Sequence, residues 1–149
     1  MMLKITLISC GRLKEKYLKD AVLEYKKRLS SYVMLEEKEL DDGPDMESEA
    51  RRIIKAVPAG AYVITLEIEG RELTSGQFAQ TLDDLMTGGK SHICFIIGGS
   101  EGLLKEIKDM SGFHLSFSRM TFPHQLMRVI FLEQLYRAFK IIKGEPYHK

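Results

Sequence analysis

The sequence predicts an α/β fold, a largely parallel sheet flanked by helices. Three observations carry that prediction. Short apolar runs rich in β-branched residues alternate with longer amphipathic segments along the whole chain. Turn-forming residues punctuate the junctions. The 149 residues, 44% of them hydrophobic, can bury one core but are too few for two domains of ordinary size. Strands separated by helices are the pattern of parallel βαβ units, so one domain over residues 1–149 is expected.

The elements follow in order. "LKITLIS" (Leu3 to Ser9) reads as a strand, and Leu13 to Ser30 as a helix with Leu18, Val22, Tyr25 and Leu29 on one stripe. "VMLEEKEL" (Val33 to Leu40) reads as a second strand with its acids pointing to water. "DDGPD" (Asp41 to Asp45) is a turn, followed by a helix over Met46 to Ala56 that Pro58 and Gly60 end. "AYVITLEI" (Ala61 to Ile68) is dense in β-branched residues and is a third strand. Thr74 or Ser75 can cap a helix over Gly76 to Met86, which Gly88 and Gly89 stop. "SHICFII" gives a fourth strand, Glu101 to Met110 a helix, His114 to Ser118 a last strand, and Pro123 to Ile142 a long helix.

Charge is balanced overall at +1 and uneven locally. Met1 to Ser30 holds eight Lys or Arg against three acids, whereas Glu36 to Glu49 holds eight acids and one Lys. The basic amino-terminal segment, with Arg12, Lys14, Lys16 and Lys19, suits an anionic partner such as RNA, and equally an ordinary solvated helix. Cys10 and Cys94 sit in apolar runs without a CxxC spacing, which argues against a zinc site or a disulfide framework. No apolar segment approaches the length that spans a membrane, so a cytoplasmic location with no membrane partner is expected.

In parallel sheets ligands bind beyond the carboxyl ends of strands. That rule selects the ends of "VITLEIEG" and "CFIIGGSEG", and the segment "SFSRMTFPHQ". The glycine loop at Gly98, Gly99 and Gly102 lacks the Lys and the following Ser or Thr of a P-loop, and it places Glu101 where a phosphate would be repelled. Its spacing does not match the dinucleotide fingerprint either. Two readings stay open: a tight turn in which glycine supplies backbone freedom, or bare backbone that a neutral or cationic nucleoside can approach.

The last helix is apolar around most of its circumference, which implies cover on two sides, the second from another subunit. Arg128 and Arg137 inside it need partners. Structural bridges, for example to Glu133 or Glu101, stand beside a substrate-facing role for at least one of the two. The closing "KGEPYHK" is either a frayed end or a tail whose Tyr147 stacks on a base while His148 and Lys149 meet its edge or a phosphate.

Taken in order, "FIIGGSEGL", "LSFSRMTFPHQLMRVIFLEQLYRAFKI" and "GEPYHK" resemble the ribosomal RNA large subunit methyltransferase H family, of the SPOUT class. "YVITLEIEG" and "LKITLISCGRLKEKY" fit the same family, so the similarity spans essentially the full length. The resemblance implies a carboxyl-terminal trefoil knot, S-adenosylmethionine bound in the knotted loops, and a homodimer whose subunits share the site. It implies methylation of N3 of a pseudouridine in the helix 69 loop of 23S ribosomal RNA, on the assembled 70S ribosome, with no metal. Carried over by motif, the cofactor site is Leu66, Gly98, Phe117, Ser118, Arg119, Met120, Thr121 and Phe122. Three residues are candidates for catalysis: His148 as base, Arg128 as stabiliser of the anionic imide or brace of the loop, and Tyr147 as stacking platform. The alternative is a noncatalytic RNA- or ribosome-binding module on the same fold, which would not bind S-adenosylmethionine.

Overall fold

A computed structural model describes residues 2–41, 43–99 and 101–147. Five strands alternate with five helices: β1 (Leu3–Cys10), α1 (Lys16–Leu29), β2 (Val33–Leu40), α2 (Met46–Ala56), β3 (Tyr62–Glu72), α3 (Ser75–Thr87), β4 (His92–Ile97), α4 (Lys105–Asp109), β5 (Phe113–Ser116) and α5 (His124–Ile142). The sheet order is β2-β1-β4-β3-β5 and all four pairings are parallel, as the alternation of elements predicts. Helix starts are set locally. The Asp45 side chain accepts from Ser48 N–H at α2, and Thr74 and Gln77 form a reciprocal capping box at α3, where a cap is worth about 1 kcal/mol.

Alternate residues of each strand face opposite layers. Ile5 and Leu7 of β1, with Ile93 and Phe95 of β4, pack under α1, α3 and α5. Ile8 of β1, with Cys94 and Ile96 of β4, packs under α2 and α4 through Ala50, Ile53 and Ile107. Helix α5 lies on the sheet and contacts both α1 and α3. Its Phe131, fully buried, sits 4.7 Å from the Phe95 ring, centroid to centroid. Two covers for this helix come from its own chain, through α1 and α3, while Leu126 near its start stays 37% exposed.

Two elements differ from their predicted bounds. The helix expected over Glu101 to Met110 begins only at Lys105. Gly102 has φ +81°, in the left-handed region, and its N–H closes a turn on Gly99 O at 3.1 Å, so the chain cannot enter a right-handed helix there. Strand β3 runs on to Glu72 because it rejoins β5 after a break. Leu66 and Arg71 both align with Leu115, and residues 67–70 leave the ladder between them.

The acids of β2 do not all point to water. Glu37 and Glu39 turn toward α5, where Arg128 is buried with 4% of its side chain exposed. Arg128 Nη1 donates to Glu39 Oε2 at 2.7 Å and Nη2 to Glu37 Oε2 at 3.2 Å, and Nη1 also reaches Gly11 O at 3.4 Å. Glu39 further accepts from Leu13 N–H and Arg12, and Glu37 pairs with Lys26 of α1. Of the partners expected for the two arginines, Glu133 does bind Arg137, and Tyr147 with it, whereas Arg128 is held by neither Glu133 nor Glu101.

Burial raises the Glu39 carboxyl, but hydrogen bonds from Arg128 and Leu13 N–H and the nearby positive charges outweigh it, holding the group below its ordinary value of 4.5. A carboxyl depressed in the folded state adds stability that is complete above the unfolded value and is lost as pH falls through the folded one. Replacing Glu37 and Glu39 together by Gln strands a buried guanidinium and is expected to cost about 3–5 kcal/mol in urea unfolding at neutral pH. Arg128→Met should cost less, because the freed carboxylates are closer to water. Between about pH 5 and pH 3 the wild type should lose more stability than Glu39→Gln does. Burial also pushes the Cys94 thiol up to about 12, so native protein is expected to leave Cys94 unlabelled by iodoacetamide at pH 8, with labelling appearing on unfolding.

Candidate functional site

At the carboxyl ends of β3, β4 and β5 the chain opens into a cleft of about 900 Å³. Each wall comes from one strand-end segment. The β3 excursion supplies Leu66 to Glu69, the glycine loop supplies Ile97 to Gly99 with Glu101 to Leu103, and the segment between β5 and α5 supplies Phe117, Ser118 and Met120 to His124. Met127 on α5 and Lys108 on α4 complete the lining among the described residues. Phe117 stands on the core, its ring 6.2 Å from Phe131 and 6.3 Å from Phe78, so that wall is fixed by the same aromatic run that packs α5.

The backbone of the glycine loop is bare for a steric reason. A Cβ on Gly98 would lie 2.7 Å from Gly102 O and 2.9 Å from the Leu103 side chain, too close for any other residue. Glycine at this position is therefore demanded by the close packing of the loop on itself, as the tight-turn reading has it, and Gly98 and Gly99 both line the cleft. Three carboxylates, Glu67, Glu69 and Glu101, face the same space against the single ammonium of Lys108, among the described residues. Such a lining repels polyphosphate and favours a ligand that carries positive charge. The hydroxyls of Ser118 and Thr121 add neutral polar contacts, and Leu66, Ile97, Phe117 and Met127 add apolar ones.

Seven of the eight residues expected at the cofactor site line this cleft: Leu66, Gly98, Phe117, Ser118, Met120, Thr121 and Phe122. Arg119 belongs to the same loop, but its guanidinium donates to Glu72 at 3.0 Å outside the lining. None of the described catalytic candidates lines it. Arg128 is the buried arginine described above, its guanidinium engaged by Glu37 and Glu39 and outside the lining. Tyr147 folds back on α5. Its hydroxyl donates to Glu133 Oε2 at 2.9 Å, its ring meets Tyr136 edge-on at 4.9 Å, and the Arg137 guanidinium lies 4.9 Å over it. Tyr32 also donates to Glu145 at 2.6 Å, so the tail is packed as far as Tyr147 and not frayed. Burial, then the bond to Glu133, pushes the Tyr147 phenol up to about 12, so it stays protonated at neutral pH. His148 lies outside the described residues.

Glu67, Lys108 and His124 were not singled out from the sequence. Glu67 had a legible position, inside the "VITLEIEG" run whose end the topology rule selects. Lys108 had none, because its approach depends on the turn at Gly102 that delays α4. No group of three His, Cys, Asp or Glu placed to hold a metal occurs among the described residues, and none of the described helices is long and apolar enough to cross a membrane.

Comparison with known proteins places the chain. The family model described as "Predicted SPOUT methyltransferase" matches residues 3–148. The ribosomal RNA large subunit methyltransferase H of Bacillus cytotoxicus is 52% identical, with 99% of this chain and 100% of its own length covered. The protein of the same name from Acetivibrio thermocellus is 47% identical over the same shares. Among solved structures, a tRNA methyltransferase from Aquifex aeolicus aligns with a TM-score of 0.57 at 14% identity, over 100% of this chain and 75% of its own, a likeness of fold. The chain is a SPOUT methyltransferase and belongs to the ribosomal RNA large subunit methyltransferase H family.

Proposed function

We propose that residues 1–149 act as one S-adenosylmethionine-dependent methyltransferase domain that methylates N3 of a pseudouridine in helix 69 of 23S ribosomal RNA, on the assembled 70S ribosome in the cytoplasm. The observation that carries the cofactor is the cleft itself: about 900 Å³, walled by the three strand-end segments that carry the family motifs, and lined by three glutamates. The donor set fits a ligand that is flat at one end and cationic at the other. When bound, S-adenosylmethionine supplies a methyl group on a sulfonium, open to in-line attack by a nitrogen.

The chain's own contribution is position and charge. Gly98 and Gly99 admit the adenine against backbone, Phe117 and Leu66 enclose it, and Glu69 and Glu101 favour the cationic end. Holding nucleophile and methyl in line lowers the barrier by several kcal/mol without a covalent step. The imide N3–H must lose its proton to become nucleophilic, and His148, whose ordinary pKa lies near neutrality, is the residue to accept it. Arg128 acts at one remove, holding the start of α5 that carries Pro123, His124 and Met127 into the cleft.

Within one subunit Tyr147 stands apart from the cleft: it is bound to Glu133, six residues or about 9 Å of helix from Met127, the nearest cleft-lining residue of α5. A homodimer in which each tail serves the partner's cleft resolves this separation. Exposed apolar side chains suit such contact: Tyr17 near the start of α1 and Leu126 at the start of α5, two helix ends joined by a bond from Lys14 N–H to Gln125, and Met120 in the cleft loop. The knotted threading implied by the family belongs to the same reading. Lys14, Lys16 and Lys19 are exposed on the α1 side for contact with RNA phosphate, whereas Arg12 is engaged by Asp41 and Glu39.

Tritiated-methyl transfer to 70S ribosomes, isolated subunits and naked ribosomal RNA, followed by mapping of the modified nucleotide, tests the assignment. Label is expected on 70S particles at one helix 69 position, and label elsewhere or none would overturn it. His148→Ala should lower turnover by about 10²–10⁴-fold with cofactor affinity by calorimetry unchanged; normal turnover would remove His148 from the chemistry. Reversing Lys14, Lys16 and Lys19 to Glu should weaken ribosome binding and flatten its salt dependence while leaving S-adenosylmethionine affinity intact.

A further inference from the structure

We infer that Glu67 reads the sugar of the bound cofactor, accepting hydrogen bonds from the vicinal ribose hydroxyls through its Oε1. This rests on the cofactor reading above and adds a residue to it. Glu67 is the first residue of the β3 excursion, directly after Leu66, which still aligns with Ile97 of β4. Its side chain is 13% exposed, and the residue lines the cleft.

One oxygen of this carboxylate is fully engaged by the protein. Oε2 accepts from the buried Thr65 hydroxyl at 2.6 Å and from His114 Nδ1. A carboxylate only accepts, so Nδ1 carries the hydrogen in this bond. Ser111 Oγ lies 2.9 Å from Thr65 Oγ1, so the anchoring hydroxyl is itself held. The other oxygen is different. Oε1 lies 3.9 Å from Lys108 Nζ, an ion pair beyond hydrogen-bonding distance, and no donor among the described residues reaches it. The result is a carboxylate fixed in orientation by one oxygen, with the acceptor capacity of the other left for a ligand.

The surrounding charges decide which part of the ligand that is. Glu67 already has Lys108 and the His114 imidazole beside it, so a second cation gains least there. Glu69 and Glu101 have no cationic partner among the described residues and are the better counterions for the sulfonium and ammonium. Neutral hydroxyl donors suit Glu67, and a vicinal diol offers two to the two lone pairs of Oε1. A hydrogen bond to a charged group strengthens discrimination against a ligand that lacks the hydroxyl, because the carboxylate is then desolvated without a partner.

Calorimetry with S-adenosylhomocysteine and its 2′-deoxy and 3′-deoxy analogues tests the assignment. Wild-type protein is expected to bind at least one deoxy analogue about 10–100-fold more weakly than the parent. In Glu67→Ala the parent should bind about 10–100-fold more weakly, and removal of the same hydroxyl should then cost less than about 3-fold, since its partner is gone. Glu67→Gln, which keeps the side chain's shape, serves if circular dichroism shows Glu67→Ala misfolded. Equal wild-type affinity for all three ligands overturns the inference alone, as does an undiminished hydroxyl effect in the variants. Failure of the wild type to bind S-adenosylhomocysteine overturns the cofactor reading and this inference with it.

Discussion

The site depends on a buried arginine held by two glutamates from the far edge of the sheet. Arg128 on α5 is gripped by Glu37 and Glu39 of β2, and the same two carboxylates hold Lys26 of α1, Arg12, and the backbone after β1. Hydrophobic burial sets α5 onto the sheet but is nondirectional and would tolerate a slide or a roll. The charge-assisted hydrogen bonds are directional and fix where along the sheet the helix begins. Since Pro123, His124 and Met127 line the cleft within five residues of Arg128, that choice sets the width of the cleft. An ion pair of this kind adds little net stability over an apolar substitute, and its worth lies in position.

The cleft then follows from ordinary parallel-sheet geometry with two local departures. Strand ends on one edge of the sheet converge, and the loops after β3, β4 and β5 meet there. The turn at Gly102 keeps the loop after β4 open where a helix would have filled it. The break in β3 carries a carboxylate into the space where an uninterrupted strand would have paired it away. Both departures place polar, chemically useful groups where regular structure would have left hydrogen-bonded backbone.

Much of this was legible in the sequence. Alternation of β-branched runs and amphipathic segments gave the parallel sheet, and Thr74 or Ser75 marked the start of α3, because those signals are local. Strand-end logic found three walls of the cleft, and motif resemblance named seven of its lining residues. What failed to show was nonlocal. The partners of Arg128 lie 89 and 91 residues away, and no period in β2 distinguishes an acid facing solvent from one facing a helix. The delayed start of α4 depended on the handedness of one glycine, which composition does not reveal. The sequence leaves Tyr147 between a frayed end and a base-stacking tail, because its packing on Tyr136 and Arg137 exists only once α5 has formed.

The break in β3 has a dynamic consequence. Residues 67–70 lie between two stretches paired to β5, yet they belong to neither ladder, and they are held by side chains: Thr65 and His114 on Glu67, and Ser116 Oγ on the Ile68 carbonyl at 2.8 Å. Such a segment can open by releasing a few side-chain bonds, while Leu66 and its neighbours wait for the sheet to come apart. Amides a few positions apart along one strand thereby belong to cooperative units of different free energy. A ligand seated against this wall would be reported first as slowed hydrogen exchange at residues 67–70, with the flanking ladder unchanged.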